Sequence, residues 1–75
     1  MKRLDYTLSQ EFIELNHLLK HCGFADSGGA GGALVASGVV MVNGVLESRK
    51  RNKIRACMVV QIADTEIHVS ALAHP

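Results

Sequence analysis

The run Arg49-Lys50-Arg51-Asn52-Lys53-Ile54-Arg55 holds five of the eight basic residues of the chain and contains no carboxylate. Positive charges gathered within about one Debye length, roughly 10 Å, raise the local potential even where the molecule as a whole is balanced. The formal net charge is only +1, so the asymmetry carries the information. The chemistry open to such a cluster is contact with a polyanion. A solvated charged loop would show the same run, so its meaning depends on its surroundings.

Other groupings are less productive. Ser27-Gly28-Gly29-Ala30-Gly31-Gly32 has the small residues of a phosphate loop. It lacks the Lys-Ser/Thr that ends a nucleotide-binding loop, and the strand and acidic partner that frame a dinucleotide site. The run reads better as a helix start whose small face lets a neighbour come close. His17, His21 and Cys22 share one helix without a third ligand at a recognisable spacing, so no metal site is expected. The seven acidic residues form no inward-facing pair, and Glu11 and Glu14 have ready roles in capping and i,i+4 pairing. No catalytic group, cofactor or small-molecule substrate is expected.

These residues need elements to position them. Leu4 to Leu8 alternates in polarity and predicts a short edge strand after a solvated end at residues 1–3. Phe12, Ile13, Leu15, Leu18, Leu19 and Cys22 recur at helical steps, predicting an amphipathic helix from about Gln10 to His21, capped by Ser9 and closed at Gly23. Asp26-Ser27 opens a second helix, stopped at Gly38. Its glycines each cost about 0.5 to 1 kcal/mol relative to Ala, so its start should fray unless packing holds it. From Val39 the period changes. Val39 to Val42, Asn43-Gly44 and Val45-Leu46 read as a tight type I′ hairpin. Met58 to Ile62 and Glu66 to Val69 read as a second strand pair around 63–65, and the tail from Ser70 to Pro75 as loose.

At 75 residues with 48% hydrophobic and 20% charged side chains, the expectation is one small α+β domain over residues 1–75, monomeric and marginal in core size. Neither a membrane-length apolar run nor a leader pattern is visible, which points to the cytoplasm. Two cysteines, in separate elements, read as free thiols.

The order Leu15-Asn16-His17-Leu18-Leu19-Lys20, Gly23, Ser27-Gly28-Gly29, Gly38-Val39-Val40-Met41-Val42-Asn43-Gly44, Glu47 and Arg49-Lys50-Arg51-Asn52-Lys53-Ile54 resembles the αL RNA-binding motif. That is the domain named after ribosomal small-subunit protein S-four, here in its small stand-alone bacterial form. The resemblance spans about residues 4 to 69. It implies two antiparallel helices packed on a small, mostly antiparallel sheet, and binding of structured RNA, most often ribosomal or transfer RNA. Carried over position by position, it implicates Lys20 and His21 ending the first helix, Ser27 starting the second and Asn43 at the hairpin. Beyond the hairpin it implicates Arg49, Lys50, Arg51, Lys53 and Arg55. Two positions depart from the pattern. Gly28 and Gly32 replace polar or basic residues that usually face phosphates, and Ala56-Cys57 stands where Gly-Asp is common. With Tyr6, Phe12 and Phe24 the only aromatics, and Phe12 assigned to the core stripe, no stacking platform is expected and recognition should follow RNA shape. The alternative is a protein-interaction module in which the basic segment meets an acidic partner.

Overall fold

The computed structural model describes residues 1–72. The elements run β1 (Lys2–Leu8), β2 (Ile13–Glu14), α1 (Leu15–His21), α2 (Gly28–Ala36), β3 (Val40–Val42), β4 (Val45–Leu46), β5 (Lys53–Ile54), β6 (Val59–Ile62) and β7 (Thr65–Ala71). Five strands form one sheet in the order β1-β7-β6-β3-β4, and β2 pairs with β5 in a separate two-stranded ribbon. All pairings are antiparallel except β1 with β7. Two helices packed on a mostly antiparallel sheet are what the resemblance implied.

Aliphatic burial explains the arrangement. Leu15, Leu18 and Leu19 of α1, Val35 of α2, Val40 and Val42 of β3, Ile54 of β5 and Val60, Ile62, Ile67 and Val69 of β6 and β7 share one core. A fully buried Leu, Ile or Val contributes about 1.5 to 3 kcal/mol. The hairpin lies where Asn43-Gly44 predicts it, with Asn43 and Gly44 at φ 52° and 82° and Val42 paired with Val45. Gly23 at φ 86° closes α1 in a Schellman arrangement: the Phe24 amide donates to the Leu19 carbonyl at 2.9 Å and the Gly23 amide to that of Lys20 at 3.1 Å.

Four expectations need correction. The first helix starts at Leu15, five residues late, and Ser9 is not its cap. Residues 13–14 instead pair with β5. Because α1 is only seven residues long, it would be unstable alone. It is stabilised at its start by a remote segment, where the Leu15 and Asn16 amides donate to the carbonyls of Asn52 and Lys50, each at 2.9 Å. Phe12 is half-buried and stands outside the core. The ends are more ordered than expected. Lys2 and Arg3 are already in β1, paired with Thr65 and Glu66, and β7 continues through Ala71. Residues 73–75 of the expected loose tail lie outside the described residues. Finally, the start of α2 is held by packing rather than frayed. A methyl on Gly31 would run into the main-chain carbonyl oxygen of Asn16 in α1, so the absent side chain is what lets the helices touch.

Candidate nucleic-acid interface

Positioning of the basic segment begins with two anchors. Ile54 is fully buried and pairs with Ile13. At the other end, the Glu47 amide donates to Val40 of β3 at 3.0 Å. Between them the Glu47 carboxylate collects the segment: its oxygens accept from the Arg49 amide, the Arg49 guanidinium and the Asn52 side-chain amide at 2.9 to 3.2 Å. The hydrogen bonds from the Arg49 side chain, then from its amide, hold the Glu47 carboxyl below its ordinary value.

The segment therefore straddles the start of α1. Its carbonyls at Lys50 and Asn52 face the α1 amides, while the side chains of Arg49, Lys50, Arg51, Lys53 and Arg55 belong to exposed residues. The cations then divide. Lys50 crosses to α2, where its aliphatic stem lies so near Gly32 that a Cβ there would meet Lys50 Cδ at 2.9 Å. Lys53 and Arg55 turn the other way, with Nζ 4.9 Å and Cζ 5.5 Å from the centre of the Phe12 ring, within cation–π range. Gly32 thus removes a side chain from α2 but opens the path for a lysine from elsewhere.

The other candidate residues lie at the start of α2, the end of α1 and the hairpin, with unequal freedom. Ser27 is the N-cap of α2, its Oγ accepting from the Ala30 amide at 3.1 Å. This confirms the expected cap. Lys20 is exposed in the last turn of α1. The His21 ring lies 6.1 Å from that of Tyr6. Asn43 clamps the hairpin to β6. Its Oδ1 accepts from the Val59 amide at 2.9 Å, and its own amide donates to the Val59 carbonyl at 2.8 Å.

Sequence reasoning missed Phe12, placed in the core by its spacing, and the anchoring role of Glu47. An acidic residue just before a basic run, with Asn52 five residues on, was the available signal for Glu47. Asn16 was also missed. Its Nδ2 donates to the Gly28 carbonyl at 3.4 Å, joining α1 to the start of α2. Cys57, in the Ala56-Cys57 departure, sits at φ 70°, a left-handed conformation that glycine adopts more readily. The turn forms nonetheless, with the Cys57 amide donating to Val69 at 2.8 Å. Both cysteines are free, and burial pushes the Cys22 thiol up. No group of three or more His, Cys, Asp or Glu residues suited to a metal ion occurs among the described residues. No helix among them is long and apolar enough to cross a membrane.

Known proteins share this arrangement. YbcJ of Escherichia coli (strain K12) is 41% identical over 59 residues, covering 79% of this chain and 84% of that protein, and YbcJ of Shigella flexneri matches equally. The solution structure of the E. coli protein, described as revealing an αL motif involved in RNA-binding, superposes with a TM-score of 0.65 at 35% identity. It covers 95% of this chain and 89% of its own. The S4 domain family matches residues 6–70. With the helix pair, the Asn43-Gly44 hairpin and the basic segment all in place, the chain belongs to the S4 domain family.

Proposed function

We propose that this protein binds structured RNA, of ribosomal or transfer type, through the rim formed by Lys20, His21, Ser27 and the Arg49 to Arg55 segment, as a binding module without chemistry of its own. The observation that carries the reading is the division of the basic segment across the start of α1. Lys50 reaches α2 while Lys53 and Arg55 reach Phe12, so the positive charge is spread along a surface. Such a surface suits phosphates on successive strands of a folded RNA better than a single anion. Membership of the S4 family, and the RNA-binding motif described for YbcJ, support the same conclusion.

A salt titration tests it. If the five cations neutralise about four or five phosphates, log affinity should fall against log salt with a slope of about −3 to −4.5. Replacing Arg49, Lys50 and Arg51 together by Ala should flatten that slope while the domain still folds. A slope near zero on a stem-loop RNA, or an unchanged slope in a folded triple variant, would overturn the assignment. One observation favours a second reading, a protein partner. The edge strand β4 exposes Val45 at 69% and Leu46 at 59%, and an apolar edge can receive another strand. Failure of RNA to compete with such a partner would favour that reading.

A further inference from the structure

Phe12 and the cavity beside it are absorbed neither by the core nor by phosphate contact. The cavity, of about 230 Å³, lies between α1 and the segment joining β1 to β2, and is lined by Phe12, Tyr6, Gln10, His17 and His21 among others. It is smaller than the roughly 300 Å³ at which pockets for drug-sized ligands begin, a size suited to a single planar ring. Phe12 borders it as a half-buried ring, held between β2 and two cations at 4.9 and 5.5 Å. Two other rings of the lining, those of Tyr6 and His21, lie 6.1 Å apart. Gln10 offers both a donor and an acceptor.

We infer that this cavity is a subsite for one unpaired RNA nucleotide, its base stacked against Phe12 and its phosphate held by Lys53 and Arg55. The inference rests on the RNA-binding reading and goes further than it. The shape-led rim accounts for phosphates, whereas this site selects a base that has left the stack. Aromatic rings serve any base in that way, because every base has a π-face. Lys53 and Arg55 lie over the same ring, so the charge that would meet the phosphate is within reach of a base that shares that ring. His17 extends the site toward α2, since its ring lies beside Gly28, and this joins the cavity to the phosphate-binding rim.

The test uses two RNA hairpins with the same stem, one fully paired and one carrying a single bulged 2-aminopurine nucleotide. Each is titrated with the wild-type protein and with the Phe12→Leu and Phe12→Trp variants, whose folding is checked by thermal melting. The wild type should prefer the bulged hairpin by about 5- to 150-fold, the range that stacking one base on an aromatic ring supplies. Its binding should also change the 2-aminopurine fluorescence. Phe12→Leu should abolish the preference for the bulged hairpin over the paired one. Phe12→Trp should retain it. Equal wild-type affinity for the two hairpins would overturn the subsite while leaving RNA binding intact. So would a Phe12→Leu variant that weakens both equally, because Phe12 would then serve only to hold Lys53 and Arg55. Binding to neither hairpin would overturn the RNA-binding reading itself.

Discussion

The Glu47 carboxylate holds Arg49 at three points: Oε2 accepts from the Arg49 amide at 2.9 Å and from Nε at 3.0 Å, and Oε1 accepts from Nη2 at 3.2 Å. The guanidinium is exposed and keeps donors to spare, so an RNA phosphate can still reach it. What Glu47 contributes is loop order, since the same carboxylate accepts from Asn52 and the Asn52 carbonyl in turn caps α1. Glu47→Ala should therefore speed hydrogen exchange at the Arg49 amide and at the first amides of α1 well before it lowers the melting temperature appreciably. Exchange unchanged at those sites would show that the loop stands without Glu47.

The same pair has a pH signature. Arg49 keeps the Glu47 carboxyl in the folded protein below its ordinary value of 4.5. A group whose value is lowered by folding stabilises the protein above its unfolded value, and the contribution disappears as pH falls through the lowered one. Melting temperature compared between wild type and Glu47→Gln should differ by a constant amount from neutral pH down to about 4.5, then converge in more acid solution. Exposure of the Arg49 partner, whose guanidinium stays in solvent, keeps the difference small. A gap that stays constant down to pH 2 would show that the carboxylate charge contributes nothing.

The glycines of α2 separate by what faces them. At Gly29 an added methyl would meet only Ser27 Oγ at 3.8 Å, an ordinary contact. Gly29→Ala should raise stability by about 0.4 to 1 kcal/mol through the unfolded chain. Gly31→Ala should lower it by about 1 to 3 kcal/mol, because the Asn16 carbonyl is backbone and cannot move aside. Thermal or denaturant melting of the two variants checks both signs, and a stabilised Gly31→Ala would mean the helices do not approach as described.

How far these features were legible depends on sequence distance. Ser27, Gly23, Gly38 and the Asn43-Gly44 hairpin were readable because each signal acts within four residues. The start of α1 was not. Phe12 and Ile13 share the helical spacing of Leu15, Leu18 and Leu19, but residues 13–14 pair with β5 some forty positions on, and the caps of α1 are carbonyls at Lys50 and Asn52. Local capping rules cannot find a partner that far away. The order in Lys2 and Arg3 was hidden likewise, since β1 pairs in parallel with β7 at the other end of the chain. For the site, the charges were visible, but their division between α2 and Phe12 required the fold.

At Cys57 the backbone adopts φ 70°. A left-handed conformation costs a non-glycine residue about 1 to 2 kcal/mol, and glycine gives back about 0.5 to 1 through its freedom when unfolded. Cys57→Gly should therefore stabilise the domain by about 0.5 to 1 kcal/mol without altering the turn, whose hydrogen bond to Val69 uses only the backbone. Cys57→Val should destabilise it, because a β-branched side chain tolerates this region worst. Denaturant midpoints in the reverse order would contradict the geometry.

Gly32 and Lys50 should behave as a coupled pair. With Lys50 in place, a methyl at Gly32 would sit 2.9 Å from its Cδ and 3.5 Å from its Cβ, so the stem must move and part of the usual gain from Gly→Ala is lost. With Lys50→Ala only the ordinary Cβ contact remains, and Gly32→Ala should then gain the full increment of about 0.4 to 1 kcal/mol. A double-mutant cycle isolates the difference, which contacting residues can carry and distant ones do not. The cycle read in RNA affinity should show the counterpart. Gly32→Ala should weaken binding when Lys50 is present, by displacing its side chain from α2, and have no effect once Lys50 is truncated. Strict additivity in both readouts would mean that Lys50 does not lie across α2, and the continuity of charge from the basic segment to the second helix would be lost with it.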